Sequence, residues 1–209
     1  MVAAGRDRCG NQVMDRMLAV VGPVMLVLLL GAAAAQTPED NDRTCSGEDD
    51  TAAIAACTAI IQSDQPQAED IANALNRRGH AYFNLGQSER AIADFDQAIK
   101  RDPGNVQAFY NRAIANFGNH HADRAIADFD QALKLDPTNT YALTNRGAVF
   151  ADAGQYGRAL RDFDLAISLD ATNANAFYDR ALVKRKTGDA AGADADLARA
   201  RAIDPALGR

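Results

Sequence analysis

Tryptophan is absent from this 209-residue chain, and cysteine and histidine occur three times each. The chain contains no glycine-rich phosphate loop, no nucleophile elbow and no HExxH stretch. The usual sequence marks of nucleotide, serine-hydrolase and zinc-protease chemistry are therefore missing. His80, His120 and His121 stand in no metal-ligand spacing with the cysteines or acids. Adjacent side chains on a turn rarely converge on one ion, so the three read as loop residues, and no metal or other cofactor is expected. A basic excess is also lacking: the formal net charge is −6. That argues against a general nucleic-acid binder, which needs a basic face to neutralise phosphates, and against a polybasic membrane-surface protein. Hydrophobic residues at 47% and charged residues at 24% are ordinary for a globular chain long enough to bury one core.

Long apolar runs are confined to the N-terminus. Arg6, Arg8 and Arg16 precede the run Met17–Leu30, small residues follow from Gly31 to Ala35, and a polar stretch begins at Gln36. A basic start, an apolar middle and an A-x-A end at Ala33–Ala35 predict a signal peptide over residues 1–35, with Met14 or Met17 as alternative starts. With its alanines the run approaches the ~20 residues of a membrane span, so an uncleaved anchor is the competing reading. Pro23 and the small-residue end favour cleavage, and hence a periplasmic or secreted protein with no further membrane association. No cysteine follows the run, so lipid attachment there is not expected. Cleavage removes Cys9 and leaves Cys45 and Cys57. An even pair in an exported chain favours a disulfide, and without CxxC spacing the bridge reads as structural rather than redox-active.

Residues 36–50 are polar and read as a flexible leader. From Ala72 onward the chain repeats every 34 residues, in units 72–105, 106–139, 140–173 and 174–207. Small residues recur at Gly79, Ala113, Gly147 and Ala181. Alanines recur at Ala91, Ala125, Ala159 and Ala193, and large apolar residues at Phe95, Phe129, Phe163 and Leu197. Each unit holds two helices. Ala91, Ile92, Phe95, Ala98 and Ile99 form one apolar stripe, and Leu75, Gly79 and Tyr82 share a face of the preceding helix. Gly86, Gly154 and Gly188 are C-caps, while Asn105, Asn139 and Asn173 stand where N-caps are needed. Pro103, Pro137 and Pro205 stop second helices, with Ala171 the exception. In the second unit the glycine falls two residues early, at Gly118 before His120 and His121, which predicts a different turn.

Segments such as GHAYFNLGQSERAIADFDQAIKRDPGN resemble tetratricopeptide repeats (TPRs), a family with this period and these small, aromatic, alanine and proline positions. The resemblance covers residues 72–207. It implies an all-α, right-handed superhelical solenoid of antiparallel helix pairs with a concave groove. Residues 51–71 resemble part of one more unit, a second helix alone, with Cys57 where Phe95 stands elsewhere, covering the N-terminal end of the stack. At the other end the series Ile92, Ile126, Leu160 turns to Asp194, and Ile99, Leu133, Ile167 turns to Arg201. Terminal repeats need a polar outer face, so the last unit is expected to be its own cap.

Two constellations remain. Arg78, Arg112, Arg146 and Arg180 recur on the stripe of each first helix; Asp94, Asp128, Asp162 and Asp196 recur on the second, while Asp96, Asp130 and Asp164 lapse at Ala198. Identity in every unit favours a structural ladder of pairs over an anionic-ligand site. The resemblance also implies a partner-binding inner surface formed by Asn73, Asn76, His80, Phe83, Gln107, Tyr110, Ile114, Phe117, Tyr141, Thr144, Ala148, Asn175, Tyr178 and Leu182. Aromatics with amides suit an extended peptide, although Phe83 and Phe117 are equally candidates for packing between units. Some members of the family clamp a carboxylate terminus with Lys and Arg; the matching places here hold Asn76, Tyr141 and Asn145, so that specificity is not expected. Tyr110, Tyr141 and Tyr178 are expected to form an aromatic strip. The expectation is a monomeric, non-enzymatic module binding a protein or peptide. A structural subunit stacking through its ends or convex face is the alternative.

Overall fold

The computed structural model describes residues 38–63 and 68–207, in which ten helices and no strand occur. The expected signal peptide lies outside these residues. Among the described residues no helix is long and apolar enough to cross a membrane. The helices are α1 (Pro38–Cys45), α2 (Asp50–Ile61), α3 (Ala68–Asn84), α4 (Ser88–Arg101), α5 (Val106–Gly118), α6 (Ala122–Leu135), α7 (Thr140–Asp152), α8 (Tyr156–Leu169), α9 (Ala174–Thr187) and α10 (Ala190–Ile203).

Local chemistry sets the ends. The side chains of Asn105, Asn139 and Asn173 accept from the backbone N–H of Ala108, Ala142 and Ala176, capping α5, α7 and α9 as the sequence predicts. At the other end of each pair, the carboxylates of Asp102, Asp136, Asp170 and Asp204 accept from the backbone N–H two residues on. The turn is thus held by the aspartate, which explains why Ala171 can replace proline. Gly86, Gly154 and Gly188 take positive φ just beyond α3, α7 and α9. The second unit does not have the different turn its sequence suggests. His120 occupies the left-handed place, at φ 60°, and the same pair of backbone bonds closes the turn: His120 N–H to Phe117 O and His121 N–H to Asn116 O. Packing of α5 and α6 on both sides imposes the geometry on a residue that holds it at a cost.

Each pair packs tightly on itself, and each second helix packs on the first helix of the next pair. First helices of successive pairs touch one another, whereas second helices do not. That asymmetry curves the stack: α3, α5, α7 and α9 line the inner wall, and α4, α6, α8 and α10 the outer. Phe95, Phe129 and Phe163 are the large buried anchors between helices. At Gly79 and Gly147 an added Cβ would lie only 2.6 and 2.7 Å from the rings of Phe95 and Phe163, so those rings seat on bare backbone.

The N-terminal region corrects two expectations. Residues 38–45, read as flexible, form α1, and α1 with α2 makes a complete helix pair rather than a lone second helix. Arg77 of α3 holds α1 by donating to Asp42 and Ser46. α3 also begins at Ala68, four residues before the expected start of the first unit. Asp49 caps α2 by accepting from Thr51 and Ala52. Cys45 and Cys57 are both buried with Cα atoms 4.9 Å apart, a spacing compatible with a disulfide. Cys57 therefore stands against Cys45 much as Phe95 stands against Gly79.

Candidate binding groove

The arginine series is a structural ladder. In each unit Nε and Nη2 grip one aspartate in a fork: Arg78 with Asp94 (2.7 and 2.8 Å), Arg112 with Asp128 (3.0 and 2.6 Å), Arg146 with Asp162 (2.8 and 2.8 Å) and Arg180 with Asp196 (2.8 and 2.6 Å). The remaining Nη1 reaches back one unit, to Asp96 (2.5 Å), Asp130 (2.6 Å) and Asp164 (2.7 Å). Arg78 instead meets Thr58 of α2 at 2.9 Å, which places Thr58 in the role of those acids. The second acidic series lapses at Ala198. With three nitrogens of each guanidinium engaged, little is left to hold an anionic ligand. Burial works against the Asp196 charge, but hydrogen bonds from Arg180 and Lys184 outweigh it and hold its carboxyl below the ordinary range.

The expected groove residues fall on the first helices and divide by burial. Asn73, Gln107, Tyr141 and Asn175 are exposed in one column, and Tyr141 is 69% accessible. Asn76, Tyr110 and Tyr178 are half-buried in the next. Thr144 of that column is 5% accessible; its hydroxyl donates to the Thr140 carbonyl and accepts from Asn173, so it supports the wall and offers no surface. His80 and Leu182 are exposed further along the helices, and Ile114 and Ala148 are half-buried.

The aromatic strip is interrupted. Tyr110 sits edge-on to Phe129, with ring centroids 5.9 Å apart, and its hydroxyl accepts from Asn145 of the next unit at 3.0 Å. Burial, then the neighbouring Tyr141, pushes its phenol up, against the pull of the Asn145 bond. Tyr110 therefore cements two units while Tyr141 presents the open ring. Phe83 and Phe117 are half-buried and packed against core residues on one side.

Two clefts open between first helices. One, of about 180 Å³, lies among His80, Phe83, Tyr110, Asn111 and Ile114. The other, of about 290 Å³, is walled by Phe117, Ala148, Tyr156, Leu182 and Val183, with Asp152, Asp179 and Lys186 also on it. Asp179 was not singled out from the sequence. It ends the column Arg77, Asn111, Asn145, Asp179, in which the two amides tie neighbouring units together: Asn111 donates to Asn76 and Asn145 to Tyr110. A carboxylate cannot donate, and the Thr144 hydroxyl proton is already given to Thr140. Desolvation alone pushes the Asp179 carboxyl up to about 6. The change of residue type in that column was the available signal. His120 and His121 lie at the turn between α5 and α6, beside Asp123 and Arg124 rather than in the groove.

Family models described as tetratricopeptide repeat match residues 76–140 and 129–161. A crystal structure of MamA is similar over 79% of this chain and 94% of its own, with a TM-score of 0.68 and 21% identity. YrrB, described as a TPR protein with an unusual peptide-binding site, is similar over 81% and 85%, at TM-score 0.65 and 21% identity. The first TPR of Spaghetti (RPAP3), bound to an HSP90 peptide, matches over 56% of this chain and 92% of its own, at TM-score 0.54 and 26% identity. No curated protein sequence matches. These likenesses establish a right-handed superhelical repeat solenoid.

Proposed function

From the premise that this chain is a tetratricopeptide-repeat protein, we propose that it is an exported, non-enzymatic interaction module that holds an extended peptide or protein segment in its concave groove. The carrying observation is the inner wall itself. Side chains from four successive first helices face one surface, with the open Tyr141 ring, an accessible Leu182 and two clefts along it. Rings and leucine supply apolar area, and Asn73, Gln107 and Asn175 supply amides for a backbone. YrrB and the Spaghetti (RPAP3) repeat, which share the fold, are a protein with a peptide-binding site and one bound to a peptide. Export rests on the N-terminal pattern and on the Cys45–Cys57 pair, which an oxidising compartment would bridge.

Capture from envelope extract tests the groove. The wild type should retain a partner that Tyr141→Ala/Leu182→Ala loses with an unchanged melting temperature. Equal capture by both would sink the groove reading. One observation favours a second reading: Leu135, Leu165 and Leu169 are exposed on α6 and α8 of the outer wall, where a neighbouring subunit could pack. A monomer by light scattering at micromolar concentration would disfavour that assembly.

A further inference from the structure

We propose that the cleft between the α7–α8 pair and α9 is a pocket for one lysine or arginine side chain of the bound segment, with Asp179 as its counter-ion. The inference rests on the groove reading and gives its partner a chemistry. A volume of about 290 Å³ is at the small end of ligand cavities, which run from roughly 300 to 1,000 Å³, and so suits one long side chain. Phe117, Ala148, Leu182 and Val183 offer apolar walls for a methylene stem. Long cationic side chains bury their stems and keep the charged head against a polar partner.

Asp179 is the partner the cleft provides. Its own neighbours leave it unmatched: among the described residues it makes no hydrogen bond or ion pair. The arginine next to it, Arg180, is committed to Asp196 and Asp164. The other charged or titratable groups on the cleft are Asp152 from α7, Tyr156 from α8 and Lys186 from α9 itself. Lys186 is two turns along the same helix and does not pair with Asp179. The acid that α10 brings to α9, Asp196, is held by Arg180 and Lys184. Asp152, Asp179 and Lys186 leave a net negative cleft, complementary to a cation. A carboxylate whose value is raised by desolvation alone is one whose charge an incoming cation would stabilise, drawing that value back down.

The test uses n-butylguanidinium and the uncharged n-butylurea, titrated against the full chain at pH 8 and followed by NMR at the Leu182 and Val183 methyls. The guanidinium should give saturable shifts, with affinity about tenfold above the urea, since one charge-assisted contact of ~1.4 kcal/mol is worth that factor. In Asp179→Asn the difference should disappear. Removing a half-buried charge leaves that variant at least as stable, so unfolding would not explain the loss. Asp179→Lys should reject the guanidinium outright. Equal binding of the two probes, or a preference that persists in Asp179→Asn, overturns the pocket. If the captured partner depends on Tyr141 and Leu182 but not on Asp179, the groove reading stands and this inference alone falls. If capture ignores all three residues, both fall.

Discussion

Replacing Arg146 with methionine keeps most of the stem's volume and removes the guanidinium. Two bonds to Asp162 at 2.8 Å and one to Asp130 at 2.6 Å are lost. The two acids are affected unequally. The Asp162 side chain is 10% accessible and would be left charged without the two bonds that Arg146 gives it, whereas Asp130 is 47% accessible and water can replace its partner. Breaking a buried pair from one side costs about 3–5 kcal/mol, and an exposed pair about 0–1 kcal/mol. The Arg146 side chain is 20% accessible, which tempers the buried figure, so Arg146→Met should cost about 2–4 kcal/mol in urea unfolding. Adding Asp162→Asn should recover a good part of that, with a coupling of at least ~1 kcal/mol, whereas adding Asp130→Asn should recover little. The slope of unfolding against urea should also report cooperativity. Arg146 joins the second and third units, so its loss should broaden the transition of a stack held by nearest-neighbour contacts. Coupling to Asp162 indistinguishable from zero would refute the ladder as a source of stability.

The strained turn offers the opposite sign: His120→Gly should raise stability by about 0.5–1 kcal/mol, and a loss would mean that the histidine ring is needed where it sits. The Asp179 carboxyl has a raised native value, so the folded chain binds its proton more tightly than the unfolded chain does. Its penalty is absent below about pH 4, grows as pH rises to about 6, and is full above that. Asp179→Asn should therefore gain about 1–2 kcal/mol at pH 8 and nothing at pH 4, measured as the difference in urea stability between the two proteins. Closing the Cys45–Cys57 loop, a separation of 12 residues, contributes about 3 kcal/mol in the chain-entropy picture. Reductant should lower the melting temperature of the wild type but not of Cys45→Ser/Cys57→Ser, and two or more titratable thiols in unreduced protein would rule the bridge out. Tyr110→Ala should destabilise, because it removes an inter-unit bond and an edge-on ring contact, whereas Tyr141→Ala should leave the melting temperature in place.

The helix pairs were readable because the units repeat nearly the same solution: a large apolar anchor (Phe95, Phe129, Phe163, then Leu197), alanines at the close approaches and the asparagine caps of the last three units recur at one spacing. The arginine ladder was readable for the same reason, since a buried charge must be answered in every unit or in none. Legibility ended where one unit departs from the others. Residues 38–45 have almost no apolar pattern, and their helix is set by Cys45 and by Arg77 reaching across from α3, which local sequence does not reveal. The turn at His120 follows its neighbours because packing on both sides overrides the preference for glycine. Thr144 looked like a groove residue from its column, yet its hydroxyl is consumed by Thr140 and Asn173. Asp179 escaped notice because its meaning depends on the amide bonds its column makes elsewhere.

The spacing of the ladder has a consequence for how such a chain can change in length. Each arginine from Arg112 onward stands sixteen residues after one acid and sixteen before the other: Asp96, Arg112, Asp128 is one such run and Asp130, Arg146, Asp162 the next. Excising residues 106–139 would bring Arg146 to sixteen places after Asp96, and Arg146 and Arg180 would each still find two carboxylates. Gain or loss of whole periods by unequal recombination is therefore nearly silent to the fold and simply lengthens or shortens the inner wall. An insertion or deletion of one or two residues within a helix, by contrast, rotates an arginine or its aspartate off the shared face, unseats a guanidinium and strands a buried carboxylate. Selection on stability alone would purge it, so the charges act as a reading frame that lets the molecule evolve its reach in steps of one helix pair.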